Sequence, residues 1–158
     1  MRFRETQLCP WWVWALLGYL ILAIPLMSLF LGPSVTTMGG IWAVPVALGV
    51  IVALVFGQMT TEIDATDLRI SFGFVRLVRF RFPLNEFVAA NPETYRPIME
   101  FGGWGIRGFG SNRALNMRGS QGVRLTFANG RRLMVGSCLP SELASAMRQV
   151  IHAETIRF

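Results

Sequence analysis

The sequence predicts an α+β membrane protein: an N-terminal two-helix transmembrane hairpin, then an antiparallel β-sandwich or open barrel capped by a C-terminal α-helix. Three observations predict it. Residues 6–61 contain no Asp, Glu, Lys, Arg or His. From Gln58 onward the continuous apolar pattern gives way to alternation, the period-two signature of strands with one buried face. From Pro140 the period changes again, to that of an amphipathic helix.

The composition agrees with this division. Hydrophobic residues make up 53% of the 158-residue chain and charged residues 15%, more apolar than an ordinary globular domain. All 15 basic residues are arginine and the net charge is +6. The absence of lysine excludes Schiff-base chemistry and a phosphate-loop lysine. Cys9 and Cys138 lie far apart, with neither a disulfide framework nor metal-type spacing.

The expected organisation has three parts: a cytosolic N-terminal segment at 1–10, the hairpin at 11–57, and a cytosolic β domain at 58–158. The first helix is expected at about 11–31, WWVWALLGYLILAIPLMSLFL. Such a run spans ~30 Å as a helix, the thickness of a hydrocarbon core. It exceeds the apolar length of a cleaved signal peptide, and no Ala-x-Ala-like site follows it. The second helix is expected at about 38–59, with Gly32-Pro33 and Gly39-Gly40 marking a tight connection. Arg2 and Arg4 precede the first helix, and Arg69, Arg76, Arg79 and Arg81 follow the second. The positive-inside rule then places both termini in the cytoplasm, in a multi-pass protein of the inner (plasma) membrane. Trp11, Trp12, Trp14 and Trp42 form the expected interfacial belt, and Pro25 and Pro45 the expected bends. Gly49, Ala53 and Gly57 recur every fourth residue, a small-residue stripe suited to helix packing, either within the chain or in a homo-oligomer.

In the β domain, Leu68, Ile70, Phe72 and Phe74 alternate with Arg69, Ser71 and Gly73, and Val78, Phe80 and Phe82 with Leu77, Arg79 and Arg81. A first strand is expected over 59–63, and Gly73-Phe74-Val75 as a turn or bulge. Ala114 to Arg118 is a short strand candidate. Val123, Leu125 and Phe127 lead to Asn129-Gly130, a type I′ hairpin signal, and Leu133 and Val135 return from it. Six or seven antiparallel strands are expected. The closing helix, at about 140–153, starts with Pro140 and Glu142 and lines up Leu143, Met147, Val150 and Ile151 on one face.

This layout resembles that of bacterial pleckstrin-homology-like (PH-like) membrane proteins. The matching stretches are TTEIDATDLRISFG, RFRFPLNEFVAANPETYRP, GGWGIR at 102–107, and GVRLTFANGRRLMVGSCLPSELASAM, together about residues 58–150. The resemblance implies transmembrane hairpins before a β-sandwich or open barrel closed by a helix. PH-like folds in general bind phosphoinositides or proteins, and no lipid-binding signature carries over residue by residue.

No catalytic, cofactor or metal-ligating set emerges. His152 is the one histidine and is expected on the surface, so neither a Ser-His-Asp nor a Cys-His pair can be built without it. Cys138 precedes a helix, where a thiolate is favoured, but reads better as a small half-buried residue. Glu86, Glu93 and Glu100 show no carboxylate-pair spacing. The glycine-rich FGGWGIRGFG is no phosphate loop, because no GK[ST] follows. It reads as a bend, with Trp104 and Ile106 packing inward. Arginine placement says more. Arg76, Arg79, Arg81, Arg107, Arg113 and Arg118 are the candidates for a basic face that attracts acidic headgroups or a protein. Nucleic acid is not expected as a partner. The function these features suggest is a non-enzymatic, membrane-anchored interaction module at the inner leaflet. The alternative is an accessory subunit of a larger membrane complex, such as a transporter.

Overall fold

In the computed structural model, residues 3–31, 39–108 and 110–155 are described. The connection over 32–38, the terminal Arg2, and the side chains of Pro25, Trp42 and Pro45 lie outside the described residues.

The chain begins with a strand rather than a free segment. β1 (Phe3–Leu8) precedes α1 (Trp11–Leu31) and α2 (Gly39–Phe56), and β2 (Gln58–Ile63) follows them. β1 and β2 pair antiparallel, from Phe3 opposite Ile63 to Leu8 opposite Gln58. The Cys9 N–H donates to the Gly57 carbonyl at 2.8 Å, which clamps the base of the helix pair. The second helix therefore ends before Gln58, and the expected boundary at 59 ran too far. Gln58 and Met59 find ladder partners on both sides, and those bonds are worth more to the backbone than another helical turn.

The expected transmembrane hairpin does not stand. Among the described residues, no helix is long and apolar enough to cross a membrane. The membrane fold class, the multi-pass inner-membrane location and the cytoplasmic placement of both termini all rested on that crossing, and they are corrected with it.

Two sheets follow. The first has the order β1-β2-β3-β4, with β3 at Asp67–Phe72 and β4 at Val78–Pro83. The second has the order β5-β8-β9-β7-β6. Its strands are β5 (Phe87–Thr94), β6 (Gly105–Arg107), β7 (Asn112–Asn116), β8 (Gln121–Phe127) and β9 (Arg132–Gly136). A short helix, α3 (Pro97–Phe101), separates β5 from β6, and α4 (Pro140–Thr155) ends the described chain. Nine strands are thus described where six or seven were expected. β1, β5 and β6 carry no clean alternation, because their residues face edges, bulges or polar networks.

The second sheet is mixed rather than purely antiparallel. β7 runs parallel to β9, with Asn112 opposite Arg132 and Leu115 opposite Val135. The hairpin between β8 and β9 also differs in its turn. The Phe127 N–H donates to the Arg131 carbonyl at 2.9 Å. Gly130 is left-handed, at φ 80°, but Asn129 is not. A type I′ turn needs positive φ at both central residues, so this is instead a three-residue loop with a left-handed glycine.

The core lies between the two sheets and under α4. Met59, Leu68, Ile70 and Phe72 from the first sheet join Leu115, Val123, Leu125 and Val135 from the second. Leu143, Met147 and Val150 close it from the helix and are fully or almost fully buried, while Ile151 is only partly buried at its margin. At the β4–β5 corner, Phe82, Phe87 and Phe127 pack as a triangle, with Phe87 and Phe127 centroids 4.5 Å apart. Removing a buried leucine such as Leu125 would cost about 2–5 kcal/mol.

Candidate anion-binding groove

Alternation along β2, β3 and β4 sends Ile63, Leu68, Ile70 and Phe72 into the core. The intervening residues go to the outer face. Cross-strand register then lines up Arg4, Glu62, Arg69 and Arg81 in one row. Thr6, Thr60, Ser71 and Arg79 form the next row. The result is a groove of ≈ 430 Å3 lined by Glu62, Arg69, Ser71, Arg76, Arg79 and Arg81, with Ile70 and Phe80 at its floor.

Local backbone geometry sets the arginines in place. Gly73, at φ 85°, turns the chain out of β3, and a Cβ there would meet the Val55 carbonyl oxygen at 2.3 Å. Arg76 follows in the left-handed region at φ 52°, the one non-glycine residue there among the described residues. A left-handed side-chain residue costs roughly 1–2 kcal/mol, so the loop spends stability to aim this guanidinium. Its Nη2 lies 3.6 Å from Glu62 Oε1, while Arg4 Nε reaches the same oxygen at 3.3 Å. Arg79 Nε donates to the Arg76 carbonyl at 2.7 Å. Arg79 makes no ion pair among the described residues, so its terminal nitrogens face no carboxylate there.

The far end of the groove is neutralised. Asp67 accepts from Arg81 Nη2 and from Thr66 Oγ1, and Arg69 Nη2 lies 3.6 Å from it. The Arg81 hydrogen bond, with help from Thr66, holds the Asp67 carboxyl at about 2, well below the usual carboxylate value. The same contact raises Arg81 above its ordinary value. Arg69 also lies 3.4 Å from Asp64.

The structure therefore gathers Arg76, Arg79 and Arg81 from the six candidates and adds Arg69. It sends the other three elsewhere. Arg107 sits on β6 with its Nε on the Trp104 carbonyl at 3.0 Å. The Arg113 guanidinium lies over the Phe80 ring, 5.6 Å from its centroid. Arg118 Nη2 is 3.6 Å from Cys138 Sγ. The signal for Arg69 was present in the sequence: it alternates with the same core residues as its neighbours across the sheet.

Comparison with protein-family models, with curated proteins and with solved structures gives no match.

The small-residue stripe packs against the same chain. A Cβ on Gly49 would stand 3.0 Å from Leu17 Cδ1, and one on Gly57 would meet Trp14 and Phe74 side chains at 2.9 Å. Ala53 lines a cavity between the two helices, with Leu17 and Trp14 opposite. Gly57 is required at the hairpin base, where the Trp14 ring lies tilted against Phe74, centroids 6.0 Å apart.

Elsewhere the polar residues serve structure. Glu93 grips Arg124 with both oxygens, and Glu100 lies 3.7 Å from the same guanidinium, a pairing that sequence spacing did not reveal. His152 and Cys138 are exposed. Trp104 and Ile106, expected inward, are only half-buried, and Trp104 Nε1 donates to the Gly119 carbonyl. Among the described residues, no group of three or more metal-type side chains assembles.

Proposed function

We propose that the chain is a non-enzymatic interaction module that takes the phosphate of an acidic lipid headgroup in the groove between β2, β3 and β4. The observation that carries this reading is four guanidinium groups around one ≈ 430 Å3 groove whose lining holds a single carboxylate, Glu62. A guanidinium offers a planar fork that matches phosphate oxygens in pairs. Arg79, with its Nε already engaged, presents its remaining N–H groups without having to give up a salt bridge.

The surroundings suit a lipid surface. Phe74, Val75 and Leu77 are all exposed, on the loop that carries Arg76. An apolar tip beside cations matches the layering of a headgroup region over acyl chains. The resemblance to PH-like proteins points in the same direction, since such folds bind phosphoinositides or proteins.

The test uses the full chain, because β1 belongs to the sheet that carries the groove. Binding is measured to vesicles of neutral lipid, with and without added acidic lipid. Near the surface each arginine contributes ~1 kcal/mol, so acidic lipid should strengthen binding severalfold per engaged arginine. The increment should fall with salt and vanish in the Arg76→Gln/Arg79→Gln double variant. Equal binding to both vesicles refutes the reading. An increment that survives the double variant places the site elsewhere.

A further inference from the structure

A second recess lies on the other side of the helix base, away from the arginine groove. Where α1 and α2 meet the β domain, a cavity of ≈ 380 Å3 is lined by Phe56, Phe72, Trp104, Ile106, Arg107 and Met117. Between the two helices lies another of ≈ 260 Å3, lined by Val13, Trp14, Leu17, Val52 and Ala53. Cys9 and Phe56 line both, so the two recesses adjoin at these residues. The larger falls in the range of small-molecule sites, ~300–1,000 Å3, and the smaller just below it.

The lining is apolar along its length, with one cation. Arg107 is exposed at the β6 end, its Nε held by the Trp104 carbonyl at 3.0 Å. It makes no ion pair among the described residues. Burial pushes the Cys9 thiol above its ordinary value, so the junction of the two recesses is lined by a neutral group. An apolar recess with a single oriented guanidinium at one end is complementary in polarity and charge to a chain with an acid at one end.

We propose that this cleft binds a long-chain fatty acid, the acyl chain running past Phe56 and Cys9 between the helices and the carboxylate resting on Arg107. A neutral amphiphile leaves Arg107 unused. This site is separate from the arginine groove and does not depend on it.

The test uses the full chain held in an amphipathic polymer, so that no detergent competes. Brominated saturated fatty acids of increasing length are titrated below their micelle concentrations, and quenching of tryptophan fluorescence is followed. Trp14 and Trp104 line the two recesses and report occupancy. Binding should saturate. Affinity should rise about fourfold per methylene and then level off once the cleft is filled. Arg107→Gln, an exposed change that the fold tolerates, should weaken binding about tenfold or more. The corresponding fatty alcohol should bind the native protein as weakly as the acid binds Arg107→Gln. The Arg76→Gln/Arg79→Gln variant should bind fatty acid as the native protein does, which keeps failure of this site distinct from failure of the other. Quenching that never saturates, affinity that climbs with every added methylene without levelling, or indifference to Arg107→Gln overturns the proposal.

Discussion

The Glu5 carboxylate accepts a hydrogen bond from the Ser137 hydroxyl, 132 positions further along the chain. Its other oxygen accepts from the Cys138 N–H at 2.7 Å and from Gln7 Nε2 at 3.0 Å. Ser137 Oγ in turn accepts from the Leu139 N–H at 3.0 Å, just before α4 begins. One buried acid on the first strand thus organises the approach to the last helix.

Glu5→Ala should therefore destabilise the whole β domain. It leaves the buried Ser137 hydroxyl and the part-buried Cys138 N–H without their acceptor, at a cost of about 2–3 kcal/mol. Urea unfolding should show a lowered midpoint with an unchanged slope. A midpoint equal to the native one would show that the network contributes nothing to stability.

Asp67 sets a pH dependence. Its folded value, about 2, lies below the unfolded carboxylate value of ~3.9. A depressed folded value means the unfolded state binds the proton more readily. The stabilisation is complete above about pH 4 and is lost as the pH falls toward about 2. Asp67→Asn should remove this part of the acid sensitivity. Native and variant stability curves that run parallel between those limits would contradict the assignment.

Arg76 separates stability from binding. Arg76→Gly relieves the left-handed strain and gives up one exposed ion pair worth ~0–1 kcal/mol. Thermal stability should hold or rise by up to about 1 kcal/mol. Acidic-lipid binding should nevertheless fall. A variant that loses both together would mean that Arg76 holds the loop rather than a ligand.

Tyr95 anchors the second sheet. Its hydroxyl accepts from Asn116 Nδ2 at 2.8 Å, and Asn116 Oδ1 accepts from the Gly105 N–H at 2.8 Å. Tyr95→Phe should cost about 1–3 kcal/mol by stranding a buried amide donor. Burial raises the Tyr95 hydroxyl above its ordinary value, so ultraviolet titration should show one of the two tyrosines ionising late. Loss of that late phase in Tyr95→Phe checks the assignment. Retention of it in that variant overturns the assignment.

The sequence shows best those elements whose residues have one water-facing and one core-facing side. β3, β4, β8 and α4 met that condition, and so did Arg76, Arg79 and Arg81. β1 did not: FRETQL turns Glu5 and Gln7 inward, where they bond each other and the distant residues 136–138. β6 was obscured because it is only three residues long and lies among glycines. β7 overlaps the candidate at Ala114 to Arg118, but its parallel pairing with β9 leaves no turn signal between the two. Arg107, Arg113 and Arg118 share a charge with the groove but not its register. Sign alone therefore grouped six residues where cross-strand geometry groups three of them with Arg69. The apolar character of 11–56 was plain from composition, but composition alone does not fix what those helices pack against.

Because the helix pair is inserted between two adjacent strands, the opening six-residue strand has no neighbour to bond with until residues 58–63 have been made. β1 thus completes its ladder only across the helix pair, and Glu5 completes its hydrogen bonds only once Ser137 is in place.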